Sequence, residues 1–243
     1  MSRESRSPAK SGDQQVDEVS SRAEIDAFLH QARQAAPQRS ADARGRLIFA
    51  LDATMSRQPT WDTACSLQAR MFHETAAIGG LEVQLTYFRG FGECRSSKWV
   101  DDPRRLADLM SRIDCRGGAT QIRRVLKHAR NETRRKPVQA LVYIGDAMEE
   151  PVDELCALAG ELGVLGMPAF MFHEGPDPVA ANAFKEIARL TKGAYCRFDS
   201  GSAEQLRELL SAVAVFATGG RAALEDYGKK GGQEARLLIE QMR

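Results

Sequence analysis

Arg46-Leu47-Ile48-Phe49-Ala50-Leu51-Asp52-Ala53-Thr54-Met55-Ser56 is an apolar run of strand length that stops at an acid and then offers two hydroxyls at alternate positions. An apolar strand followed by a helix-forming stretch carries its last side chains to the carboxyl end of a sheet, where open α/β folds bind ligands. A binding site is expected there. Asp52, Thr54 and Ser56 supply only hard oxygen atoms, which suit Mg2+, Mn2+ or Ca2+ and disfavour a structural zinc.

Further oxygen ligands end two later elements. Gly117-Gly118-Ala119-Thr120 reads as a turn leading into a helix, and Val138-Gln139-Ala140-Leu141-Val142-Tyr143-Ile144-Gly145-Asp146 as a second buried strand that ends in an acid. D-x-T-x-S, then G-G-x-T about 65 residues on, then an apolar strand ending G-D, resembles the metal-ion-dependent adhesion site of the von Willebrand factor A (VWA) domain family. That pattern is usually written D-x-S-x-S with a later threonine and aspartate. Thr54 stands where serine is commoner, keeping the oxygen and adding a methyl.

The resemblance implies a Mg2+ or Mn2+ ion at Asp52, Thr54, Ser56, Thr120 and Asp146. It implies that the hydroxyls bind directly while one or both aspartates act through water. One coordination position is then left for an Asp or Glu of a partner protein. A stand-alone intracellular module is implied, working beside ATPases or in multi-protein assemblies and without catalysis of its own. Independent physics points the same way: two carboxylates converging at a sheet edge raise one pKa unless a cation or proton sits between them.

The rest of the chain suits one such domain. Pro59 and Thr60 open a helix with apolar positions at Ala64, Leu67, Ala69, Phe72 and Ala76, closed by Gly79-Gly80. Leu81 to Arg89 alternates as a strand, and Gly90 and Gly92 turn it into an edge strand from Glu93 to Val100. Helices are expected at Pro103–Arg112, Thr120–Arg135, Pro151–Leu162, Val179–Thr191 and Ala203–Phe216, with strands at Gly166–Phe172 and Ala194–Phe198. This alternation predicts a doubly wound α/β fold, a mostly parallel central sheet with one antiparallel edge strand and helices on both faces. Residues 44–218 are assigned to the domain, 1–20 to a disordered tail, 21–43 to a capped amphipathic helix and linker, and 219–243 to a glycine-broken, partly helical tail.

Composition excludes several classes. A formal net charge of +1 gives no electrostatic argument for nucleic acid or an anionic membrane. There is no apolar leader and no run of about 18 apolar residues, so a soluble cytoplasmic protein is expected. The cysteines, Cys65, Cys94, Cys115, Cys156 and Cys196, are odd in number and without a C-x-x-C pair, which argues against a disulfide framework or zinc module. His30, His73, His128 and His173 show no ligand spacing and read as surface or core residues. Glu149 and Glu150, which follow Asp146 closely, read as acids at a solvated helix start, with a place on the rim of the site as the alternative, and Arg134-Arg135-Lys136 as basic residues at a helix end.

Two alternatives to the metal-bridged reading stay open. An aspartate ending the first strand also resembles phosphotransferases of the haloacid dehalogenase type, with D-x-D-x-T and Mg2+. Here Thr54 replaces the second acid, which removes the general acid/base such chemistry needs. The other alternative is a metal-free VWA scaffold that binds partners through its surface.

Overall fold

In β1 (Gly45–Asp52) every residue is buried, and its side chains alternate between two cores: Leu47, Phe49 and Leu51 enter one, Ile48 and Ala50 the other. A strand covered on both faces requires an unbroken apolar run, which is what Leu47 to Leu51 provides. This computed structural model describes residues 44–199, 202–230 and 233–242. The tail expected over 1–20 and the helix expected within 21–43 lie outside the described residues.

From β1 the chain passes through a 3-10 turn (Met55–Arg57) into α1 (Gln58–Thr75) and returns parallel as β2 (Leu81–Arg89). β3 (Glu93–Ser96) folds back antiparallel on β2. Then follow α2 (Pro103–Ser111), α3 (Ile122–Arg135), β4 (Ala140–Gly145), α4 (Val152–Val164), β5 (Ala169–Glu174), α5 (Pro178–Thr191), β6 (Ala194–Phe198), α6 (Ala203–Lys229) and α7 (Gln233–Gln241). The six strands lie in the order β3-β2-β1-β4-β5-β6, all parallel except β3. This is the doubly wound sheet that the alternation predicts.

One core is closed by α1, α2, α6 and α7, through side chains such as Trp61, Leu106, Leu209 and Leu238; the other is closed by α3, α4 and α5, through Val125, Leu155 and Phe184. Each fully buried Leu, Ile or Phe contributes roughly 1.5–3 kcal/mol. The strand order reverses between β1 and β4. Such a reversal opens a crevice at the carboxyl ends of the two flanking strands, and Asp52 and Asp146 both stand there. Among the described residues no helix is long and apolar enough to cross a membrane.

Three local expectations change. In α1 the buried stripe runs through Trp61, Ala64, Gln68, Met71, Phe72 and Thr75, while Ala69 and Ala76 are exposed. Thr75 is tolerated inside because its hydroxyl donates to the Met71 and Phe72 carbonyls. β3 stops at Ser96, not Val100: the Ser97 hydroxyl accepts from the Leu85 amide, and only Val100 rejoins β2, opposite Val83.

The third change concerns the C-terminal segment. α6 continues to Lys229 through a kink at Gly220, whose φ of 70° and ψ of −164° are open to glycine alone. Beyond the kink, Leu224, Ala235 and Leu238 are buried in the first core, and the Gln241 side chain accepts from the Tyr195 amide at the β6 edge. The stretch beyond Thr218 is therefore part of the same packed body.

One close approach sets a sharp limit on sequence. A Cβ on Gly193, between α5 and β6, would lie 2.0 Å from the Ala169 carbonyl oxygen. Gly193→Ala is expected to cost about 2 kcal/mol in urea melts, in the range of overpacked cores, because a backbone atom must move. A change below about 0.5 kcal/mol would show that the turn has room.

Candidate metal centre

The site is built from the end of β1. The Asp52 carboxylate accepts the Thr54 amide at 2.8 Å, an Asx turn that reverses the chain directly after the strand. Thr54 stays extended, and its carbonyl accepts the Arg57 amide at 3.0 Å to open the 3-10 turn. This geometry returns both hydroxyls toward β4: Thr54 Oγ1 lies 3.3 Å from Ser56 Oγ, which donates to Asp146 Oδ2 at 3.0 Å.

Thr120 comes from the opposite wall. It precedes α3 instead of opening it, and it is buried. Its amide donates to the Glu149 carboxylate at 3.0 Å and its hydroxyl accepts the Glu149 amide at 3.2 Å, a reciprocal clamp between the two loops. All five predicted residues, Asp52, Thr54, Ser56, Thr120 and Asp146, line one open cleft of about 200 Å³. A larger groove of about 640 Å³ lies between α1 and α6, lined by opposed ions such as Arg70, Glu74, Arg207 and Asp226, and shares none of these residues.

The electrostatics are unbalanced at one atom. Asp52 is 3% exposed, and its Oδ2 has no hydrogen-bond partner among the described residues. Burial pushes its pKa from 3.8 up to about 6; hydrogen bonds from the Thr54 side chain and amide oppose this, Asp146 adds to it and Arg57 opposes it. The cause thus differs from the one expected: loss of water outweighs repulsion between the two acids. Among the described residues no group of three or more His, Cys, Asp or Glu side chains has metal-binding geometry, and the side-chain oxygens that line the cleft belong to Asp52, Thr54, Ser56, Thr120, Asp146 and Glu149.

The contacts of the neighbouring residues escaped the sequence reading, and Arg57, Thr60 and Glu174 were not singled out there as site residues. Arg57 is buried, pairs with Glu174 at the end of β5, and lies 3.9 Å from Asp146 Oδ2; Thr60 also donates to Glu174. His173 is fully buried, with Nε2 3.3 Å from the Asp146 carbonyl and Nδ1 2.9 Å from the Tyr195 hydroxyl, so it steadies the backbone of a predicted ligand. Its pKa is lowered, chiefly by burial. Glu150 does not serve its own helix: it accepts the Ile122 and Arg123 amides and caps α3, which lacks a side-chain cap of its own. The available signals were the position of Arg57 next to D-x-T-x-S and the acid that ends β5. Pairing them required the strand order.

By sequence, the chain matches no family model and no curated protein. Its fold has many solved counterparts. An aerotolerance-related membrane protein from Bacteroides fragilis superposes with a TM-score of 0.53 at 17% identity, covering 70% of this chain and 98% of that one. The SpRpn10 VWA domain gives 0.52 at 13% identity, over 71% and 95% of the two chains. The pilus adhesin SpaC from Lactobacillus rhamnosus GG gives 0.56 at 11% identity, over 72% of this chain and 30% of its own. At such identities the likeness is one of architecture, and it agrees with the strand order and the antiparallel edge: this chain has the fold of a VWA domain.

Proposed function

We propose that the domain is a protein-interaction module that captures an Asp or Glu of a partner through a Mg2+ or Mn2+ ion held by Asp52, Thr54, Ser56, Thr120 and Asp146. The observation that carries this reading is Asp52 Oδ2, a buried carboxylate oxygen without a partner among the described residues, in a cleft lined by five more oxygen-bearing side chains, those of Thr54, Ser56, Thr120, Asp146 and Glu149. Burying such a group is costly unless a cation or proton compensates it. A divalent cation supplies the positive charge that lets an incoming carboxylate approach two resident ones. The chain does the rest. The Asx turn and the Thr120–Glu149 clamp hold hydroxyls from two loops on one cleft, and three neutral ligands leave the ion's charge incompletely cancelled. No reaction forms part of this proposal. SpaC, a solved counterpart in fold, is an adhesin, and binding to a partner is the kind of work proposed.

Calorimetry on chelator-treated protein is expected to find about one Mg2+ per chain, with a rise in melting temperature that follows mass action. Absence of heat and of thermal shift at millimolar Mg2+ overturns the metal reading. A second reading would then stand, favoured by one distance: Arg57 Nη1, 3.9 Å from Asp146 Oδ2, already places a permanent cation beside the site, as a metal-free docking scaffold would need.

A further inference from the structure

Seven large apolar side chains are exposed among the described residues, and four of them follow strands at one edge of the sheet: Met55 and Phe91 in the turns after β1 and β2, Val152 and Val179 in the first turns of α4 and α5, the helices that follow β4 and β5. That is the carboxyl edge, where the metal cleft opens. Single exposed apolar residues are ordinary on any surface, but their gathering at the one edge that holds the cleft is not. Phe91 is 91% exposed and Met55 66% exposed, and Met55 itself lines the cleft.

Phe91 is displayed by a turn that is fixed to the cleft wall. Gly90 has a φ of 62°, and its carbonyl accepts the Ala119 amide at 3.1 Å. The contact is so close that a Cβ on Gly118 would lie 2.2 Å from the same oxygen. The Gln121 side chain donates from Nε2 to the carbonyls of Arg89 and Glu93 on either side of this turn. A large ring held outward by such ties loses little further freedom when a partner covers it.

Size and charge define what fits. A cleft of about 200 Å³ lined by hydroxyls and acids admits a carboxyl-bearing side chain and offers no room for the residues beside it. Those residues would lie over the rim, where Met55 lines the cleft and Phe91 follows the Gly90 that touches Gly118 of its wall.

We infer that the partner presents its Asp or Glu in a short extended segment with a large apolar side chain beside the acid, and that Phe91 and Met55 are the surface this side chain covers. The inference rests on the metal-site reading and specifies its partner. A displayed library of short peptides with a fixed central Asp, selected on the full chain in Mg2+, tests it. The selected peptides are expected to carry Leu, Phe, Tyr or Trp beside the acid. Combining Phe91→Ser with Met55→Ser should weaken the best synthetic peptide roughly tenfold or more by fluorescence anisotropy, and Phe91→Ser alone, which touches none of the proposed ligands, should carry part of that loss while leaving calorimetric Mg2+ affinity unchanged. Asp52→Ala should remove both peptide and Mg2+ binding. Peptides with no apolar preference, or binding indifferent to the double variant, overturn the docking surface and leave the metal reading standing. Selected binding that survives chelator and Asp52→Ala but falls with the double variant confirms the surface and overturns the metal bridge. An empty selection overturns the inference, and calorimetry then decides the metal reading alone.

Discussion

Replacing Arg57 by methionine is expected to destabilise the domain by roughly 3–5 kcal/mol, because it leaves the buried Glu174 carboxylate without its cation. The Arg57 side chain is 3% exposed and that of Glu174 10%, so water reaches neither freely. Only the Thr60 hydroxyl would remain on that carboxylate. Adding Glu174→Gln should recover much of the loss, since an amide needs no counter-charge and Thr60 can still donate to it. A double-mutant cycle in urea melts measures the coupling. Two small, additive effects would show that the pair does not hold the 3-10 turn to β5. The same substitution also removes the guanidinium lying 3.9 Å from Asp146 Oδ2, so the folded fraction of Arg57→Met is expected to bind Mg2+ more tightly than the wild type.

Asp52→Asn is expected to separate stability from metal binding. With a folded pKa of about 6 against 3.8, the Asp52 carboxyl is harder to ionise in the folded state than in the unfolded chain. The folded state therefore holds a proton that the unfolded state has released between about pH 4 and 6. Stability of the metal-free protein from this group is greatest below that window, falls as pH rises through it, and is flat above it. A shift of about two units corresponds to roughly 3 kcal/mol. The asparagine keeps the acceptor for the Thr54 amide but adds a buried N–H without a partner, which costs about 1 kcal/mol. In chelator at pH 7 the variant should thus be more stable than the wild type by about 2 kcal/mol, and at pH 4 the advantage should vanish. In millimolar Mg2+ the order should reverse, because only the wild type gains stability by binding. Thermal melts at both pH values, with and without Mg2+, check each sign. A variant less stable than the wild type in chelator at pH 7 would show that the orphaned oxygen carries no penalty.

The alternation of strands and helices, the sheet's edge strand and the five oxygen-bearing residues were legible in the linear sequence because each depends on local information. Hydrophobic period distinguishes strand from helix, and an apolar strand that ends in an acid puts that acid at the carboxyl edge whatever its neighbours are. Asp52 and Asp146 could be placed in this way without knowing which strand lies beside which. The length of α6 was not legible, since Gly219-Gly220 reads as a stop in one dimension, while the fold uses Gly220 to bend the helix and return Leu224 and Leu238 to the core.

Tertiary structure decided which charges meet. β1 beside β4, and β4 beside β5, bring Arg57, Asp146 and Glu174 into contact across gaps of up to 117 residues. The loops after α2 and β4 likewise meet so that Glu149 clasps Thr120 and Glu150 caps α3. No periodicity encodes such pairings, because ion pairs and caps depend on distance in space and on removal from water, and both are set only when the sheet has chosen its strand order. The burial that pushes the Asp52 carboxyl up to about 6 is of the same kind: the acid was visible in the sequence, and its want of a partner only in the fold.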